Sequence, residues 1–169
     1  MPDHRKFPGC IYCRGLAGTP RHNRGPGSVI GGRKVMFSRD LIPLARQGCY
    51  QLLRTTINAL RLHAPAAHPV IVRSGWNLPE NIDAYCTRRD NRFVIMLGQH
   101  LSPSKAPEVV VHEWAHARAW HHRHDHAVHA AQTGEINEAE FDASCHDAAW
   151  GVEYAHCWRV FTRVVLSDA

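Results

Sequence analysis

Val109-Val-Val-His-Glu-Trp-Ala-His-Ala-Arg-Ala-Trp-His-His122 is the stretch on which the reading of this chain turns. A start signal precedes it at Ser104–Glu108, with Pro107 in the first turn, so the run is predicted to be helical. On a helix, residues four apart lie one above the other, and the imidazoles of His112 and His116 can therefore reach one metal ion. Glu113 lies about 100° round the helix from His112, close enough to serve a metal-bound water without ligating. Two neutral ring nitrogens hold Zn²⁺ and a carboxylate takes the proton from its water, which is the chemistry that HExxH spacing supplies. Val109, Val110, Val111 and Ala115 mark the helix as buried, where His and Glu are costly without a purpose. That context favours a metal site over surface histidines on an ordinary helix.

A catalytic zinc normally takes three protein ligands and keeps a fourth position open. Two residues compete for the third place. Glu138, in Asn137-Glu-Ala-Glu-Phe-Asp142, resembles the NExxSD ligand helix of thermolysin-type gluzincins. His146, in His146-Asp-Ala-Ala-Trp150, resembles the H-G-x-x-[FW] element of SprT-like, Spartan-type metallopeptidases, in which that histidine is the third ligand. The SprT-like resemblance runs from about Pro107 to Val165, with Asp147 in place of the usual Gly and a longer gap from His116. A His-rich loop over residues 121–129 accounts for the extra length. The resemblance implies an α+β, zincin-like fold, a metal site of His112, His116 and His146, and peptide-bond hydrolysis with Glu113 as general base. It also implies protein substrates associated with DNA. His146 is favoured over Glu138. Glu138 and Asp142 share a helical face and could instead accept imidazole N–H groups, or form a solvated acidic turn.

Working outward, apolar residues recur at helical spacing from Asp40, a candidate N-cap, to about His63. Pro65 and Pro69 close that helix. Short β-prone runs follow at Val70–Val72, Ala84–Thr87 and Phe93–Leu97, and the turn residues between them suggest a small antiparallel sheet. Residues 124–137 are polar and contain Gly134, so a loop is expected there. His121, His122, His124, His126 and His129 read as part of it, exposed. Phe141, Trp150, Tyr154, Trp158, Phe161 and Val165 suggest a long amphipathic C-terminal helix. Tyr154 is a candidate oxyanion donor or, at this spacing, a core residue. Arg159 and Arg163 read as solvent-facing charges.

At 169 residues with 44% hydrophobic and 21% charged residues, the chain has globular composition. No apolar run is long enough for a membrane span, and the first residues lack the apolar core of a secretory signal. Cytoplasm is the expected compartment. Six cysteines at irregular spacing do not make a secreted disulfide scaffold, and buried thiols are the simpler reading. Residues 1–46 carry nine Lys/Arg against two Asp/Glu, and residues 1–35 read as a basic, Gly/Pro-rich arm ahead of a zincin-like domain at 36–169. Such an arm could make weak nucleic-acid contacts or simply keep the chain solvated. Cys10 and Cys13 form half of a zinc knuckle, which His4 and His22 could complete only at a non-standard spacing. The competing function is a non-catalytic structural-zinc module that binds nucleic acid or a protein partner through the arm, its ion closed off by Cys145, Asp142 or Glu138.

Overall fold

The structure, a computed structural model, describes residues 51–75, 78 and 82–167. The basic arm, Cys10, Cys13 and the first part of the predicted Asp40–His63 helix lie outside those residues. In chain order the elements are α1 (Gln51–His63), β1 (Val70–Gly75), β2 (Ala84–Arg89), β3 (Arg92–Gly98), α2 (Lys105–Ala119), α3 (His122–Thr133), α4 (Glu138–Cys145) and α5 (Ala148–Ser167). This is an α+β arrangement of five helices and one three-stranded sheet among the described residues. None of these helices is long and apolar enough to cross a membrane.

The strand positions follow the sequence reading, but the sheet is not wholly antiparallel. Its order is β1-β3-β2, with β1 parallel to β3 and β2 antiparallel to it. A tight turn at Asp90-Asn91 commits β2 and β3 to a hairpin; Asp90 takes φ 51, a left-handed conformation that Asp tolerates. The longer connection after β1 lets β2 form the far edge, and β3 enters between the other two. β3 carries the most apolar run, Phe93-Val-Ile-Met-Leu97, so the central place buries it most completely.

Helix α2 lies between the sheet and the other helices, and twelve of its fifteen residues are buried. The backbone N–H groups of Lys105 and Ala106 donate to the Ser102 carbonyl at 3.1 and 3.0 Å, which opens the helix. Ser104, the N-cap, makes no side-chain cap bond; its hydroxyl pairs with that of Ser102 at 3.1 Å. Two side chains fix α2 to the segment after α1. The Trp114 indole N–H donates to the Ala64 carbonyl at 2.8 Å. Arg118 donates to the Pro65 carbonyl and pairs with Glu153 of α5.

Two expectations are corrected here. Residues 122–133 form α3 rather than a loop, with His124, Ala127 and Ala130 buried at a three-residue spacing. Small alanines and histidines give little apolar contrast, and packing supplies what propensity does not. The C-terminal segment is also two helices, not one. A capping box starts α4: the Asn137 side chain accepts from the Glu140 N–H at 3.1 Å, and the Glu140 carboxylate accepts from the Asn137 N–H at 2.9 Å. The chain then breaks at His146-Asp147. The Asp147 carboxylate accepts the Trp150 N–H at 2.9 Å, which caps the start of α5.

Cys86, Cys145 and Cys157 are buried thiols not joined in disulfides, as read from the sequence for cysteines of this kind. Burial pushes the Cys157 thiol up to about 12. Replacing Trp114 by Phe leaves the buried Ala64 carbonyl without its donor. Trp114→Phe is expected to lower unfolding stability by about 1–3 kcal/mol, read from urea melts.

Candidate metal centre

Three elements bring three imidazoles together. His112 and His116 project from one face of α2, and His146 sits at the C-cap of α4, in the break before α5. His112 Nε2 lies 3.2 Å from His116 Nε2 and 3.4 Å from His146 Nε2. Ligand atoms of all three lie within 4.8 Å of one another. At a Zn–N bond of about 2.0–2.1 Å, two ligands of a tetrahedron sit about 3.3 Å apart. Both separations from His112 match that edge, so two of the three edges of the donor set already fit a tetrahedral metal.

The break between α4 and α5 aims the third ring. His146 has φ −112 and ψ 43, outside the helical region, while its N–H still closes a helical bond to the Asp142 carbonyl at 3.0 Å. Its Nδ1 faces the Asp142 carboxylate at 2.9 Å and the Asp142 carbonyl at 3.1 Å. The Asp142 carbonyl, with the carboxylate at ion-pair distance beside it, favours the ring proton on Nδ1 and turns Nε2 toward His112. The Asp142 carboxylate thus lies beside the imidazole, where sequence reasoning allowed it an accepting role. Glu138 opens α4, and its side chain lies outside the described residues.

Trp150 encloses the site. Its ring lies 4.5 Å from that of His146, edge-on, and 5.1 and 5.5 Å from those of His112 and His116. Tyr154 stacks beneath it at 4.9 Å, with only 9° between the planes. Burial raises the Tyr154 hydroxyl above its ordinary range, with the charge of Glu108 adding to the effect. Tyr154 is therefore packed into the core beside His112, the two rings 5.9 Å apart.

Burial dominates the electrostatics. His116 is fully buried, and its pKa falls well below the ordinary histidine value. Desolvation is the first cause, followed by repulsion from protonated His112, His146 and His124. The ring is held neutral, which is the form that ligates a metal. Glu113 is also fully buried, on the side of α2 where its charge helps to raise the Cys86 thiol, after desolvation.

Among the clustered histidines, His124 was misread as exposed. It is fully buried, stacked on Trp120 at 5.5 Å and edge-on to His121 at 4.4 Å. Desolvation, then the charge of His121, lowers its pKa. The signal was Trp120 one turn ahead of His124, with small residues following at Ala127 and Ala130. His126 and His129 are exposed as expected, and the His122 side chain lies outside the described residues.

Comparisons with known protein families, with curated proteins and with solved structures returned no match.

The arrangement predicts one tightly held divalent ion per chain, measured by elemental analysis after dialysis. His146→Ala is expected to lose it. Asp142→Ala is expected to retain it with about tenfold weaker affinity, because the ring loses the carboxylate beside Nδ1 and keeps only the backbone carbonyl. A full complement of zinc in His146→Ala would pass the third place to another group.

Proposed function

We propose that this chain is a zinc-dependent metallopeptidase, similar in its motif pair to SprT-like zincins. His112, His116 and His146 would hold the ion and Glu113 would act as general base. The single observation that carries the reading is the gathering of three imidazoles, with His112 Nε2 at tetrahedral-edge spacing from those of His116 and His146 and the Glu of HExxH next in sequence to that central ring. A bound Zn²⁺ supplies Lewis acidity, lowering the pKa of a ligated water and polarising a carbonyl. Three imidazoles leave a fourth tetrahedral position, the usual provision of catalytic sites.

The chain's own residues supply the rest. Glu113 takes the proton of the attacking water on a carboxylate oxygen and delivers it to the departing amine nitrogen. Asp142 keeps the His146 ring turned toward His112. Trp150 and Tyr154 form a dry wall behind the rings, which strengthens every electrostatic contact within. The substrate is a protein or peptide; the resemblance adds DNA-associated proteins as the class to try first.

One observation favours a second reading, a structural ion joining α2 to the α4–α5 break. Glu113 and His116 are 0% exposed and His112 is 1% exposed. Removing zinc lowers the thermal midpoint under either reading. Hydrolysis that depends on Glu113 belongs to the first alone. Glu113→Gln is expected to keep the ion and the fold while slowing cleavage of an unfolded protein substrate about 10²–10⁴-fold. Cleavage at an undiminished rate in that variant would overturn the assignment. A zinc-loaded wild type with no hydrolysis of any protein tried would leave the structural reading.

A further inference from the structure

The sheet has a second face that the metal centre does not use. Strand alternation sends Phe93, Ile95 and Leu97 of β3, with Cys86 of β2 and Val72 of β1, into the core beneath the helices. The residues between them point the other way. Arg73, Tyr85, Arg89, Arg92, Val94 and Met96 line a cleft of about 380 Å³ on that outer face, with Asp90 at its rim.

Three features of this cleft converge. Its lining carries three guanidinium groups against one carboxylate. Arg89 and Arg92 are also direct cross-strand partners in the β2–β3 ladder. Like charges placed directly opposite repel, and neither arginine has an ion-pair partner within 4.0 Å among the described residues. Arg88, next to them, is paired with Asp125 at 3.2 Å, so the chain neutralises one arginine of this hairpin and leaves the opposed two for an external anion. The other end of the cleft is different. Tyr85 and Arg73 both pair in register with Met96, forming an aromatic and apolar row that ends in a cation. Val94, between the two ends, is only 7% exposed although it lies outside the helix-facing core, so the floor there is apolar.

A pair of unneutralised guanidiniums at one end and a tyrosine on an apolar floor at the other fit an anion joined to a flat ring. The two ends are four residues apart along β3, about 13 Å. The cleft volume falls within the range of small-molecule sites. The geometry points to a nucleotide-binding site on the outer face of the sheet, with the phosphate between Arg89 and Arg92 and the base against Tyr85. An acidic peptide would satisfy the arginines but leaves the ring of Tyr85 without a counterpart. The site is separate from the metal centre and does not depend on the peptidase reading.

The test is calorimetric titration of the full chain with adenosine monophosphate, inorganic phosphate, an eight-residue oligothymidylate and a ten-residue glutamate peptide. The expected result is saturable nucleotide binding that weakens roughly tenfold or more in Arg92→Ser, through the lost charge-assisted bonds. It weakens about fivefold or more in Tyr85→Ala, through the lost stacking. Zinc content and thermal midpoint, unchanged in both variants, show that the fold persists; Arg92→Lys, which keeps charge but loses the fork, falls between Ser and wild type. Tighter binding of the oligonucleotide with the same losses supports the site and assigns its nucleotide to a single strand. Oligonucleotide binding indifferent to both variants, with no binding of the mononucleotide, overturns the proposal. So do inorganic phosphate binding as tightly as the nucleotide, the glutamate peptide outcompeting it, or no binding of any probe.

Discussion

Helix α2 has almost no polar face, and a helix apolar all round must be covered on every side. That constraint organises the rest of the described structure. The sheet takes one side through Phe93, Ile95 and Leu97, while α1 and α5 take the others. Trp114 and Arg118 bind the two ends of this wrapping together, one through the Ala64 carbonyl and the other through the Pro65 carbonyl and Glu153. A helix so enclosed would ordinarily carry only Leu, Val and Ala. This one also carries two histidines and a glutamate at full burial.

The cost of those three groups is what makes the site informative. Desolvation disfavours protonation of His116, and the neighbouring His112 and His146 rings disfavour it further. In the Nδ1–H tautomers that ligate a metal, neutral rings would bring lone pairs face to face at 3.2 and 3.4 Å. Glu113 adds a buried carboxylate on the same helix. Under the proposed reading a divalent cation would offset all of these at once, being attracted both to the ring nitrogens and to the carboxylate. Under the proposed reading, folding and metal binding are therefore coupled, since the unfolded chain offers no such assembled donor set.

Much of this was legible in the sequence because periodicity survives burial. The HExxH helix, the second half of the first helix and all three strands fall where apolar spacing puts them. The strand order did not, because alternation identifies a strand and its faces without saying which neighbour fills an edge. Residues 122–133 were illegible for another reason: Ala and His carry too little hydrophobic contrast for a moment to show, and the burial of His124 against Trp120 is a tertiary fact. The basic, tyrosine-bearing face of the sheet was present in the strand residues, but its charge stands out only once β2 and β3 are in register and Arg89 meets Arg92.

The resemblance to the HxxxW element nominated His146, and the helix break is what makes it able to join the other two. Had residues 138–167 formed one continuous helix, position 146 would have been fixed by helical phase alone. Asp147 interrupts that phase. Partial burial pushes its carboxyl up, but the Trp150 N–H and His121 outweigh this and hold it below the usual range. The charged carboxylate is thereby kept at the start of α5, where the helix dipole also favours it. Its second oxygen lies 3.6 Å from His121, two residues past the end of α2, which ties the break to the motif helix. In the motif this segment resembles, a glycine occupies that place, and glycine turns a chain by its conformational freedom. Asp147 reaches a sharp turn by a different route, capping the next helix, so the departure from the motif leaves intact the local break on which the third imidazole depends.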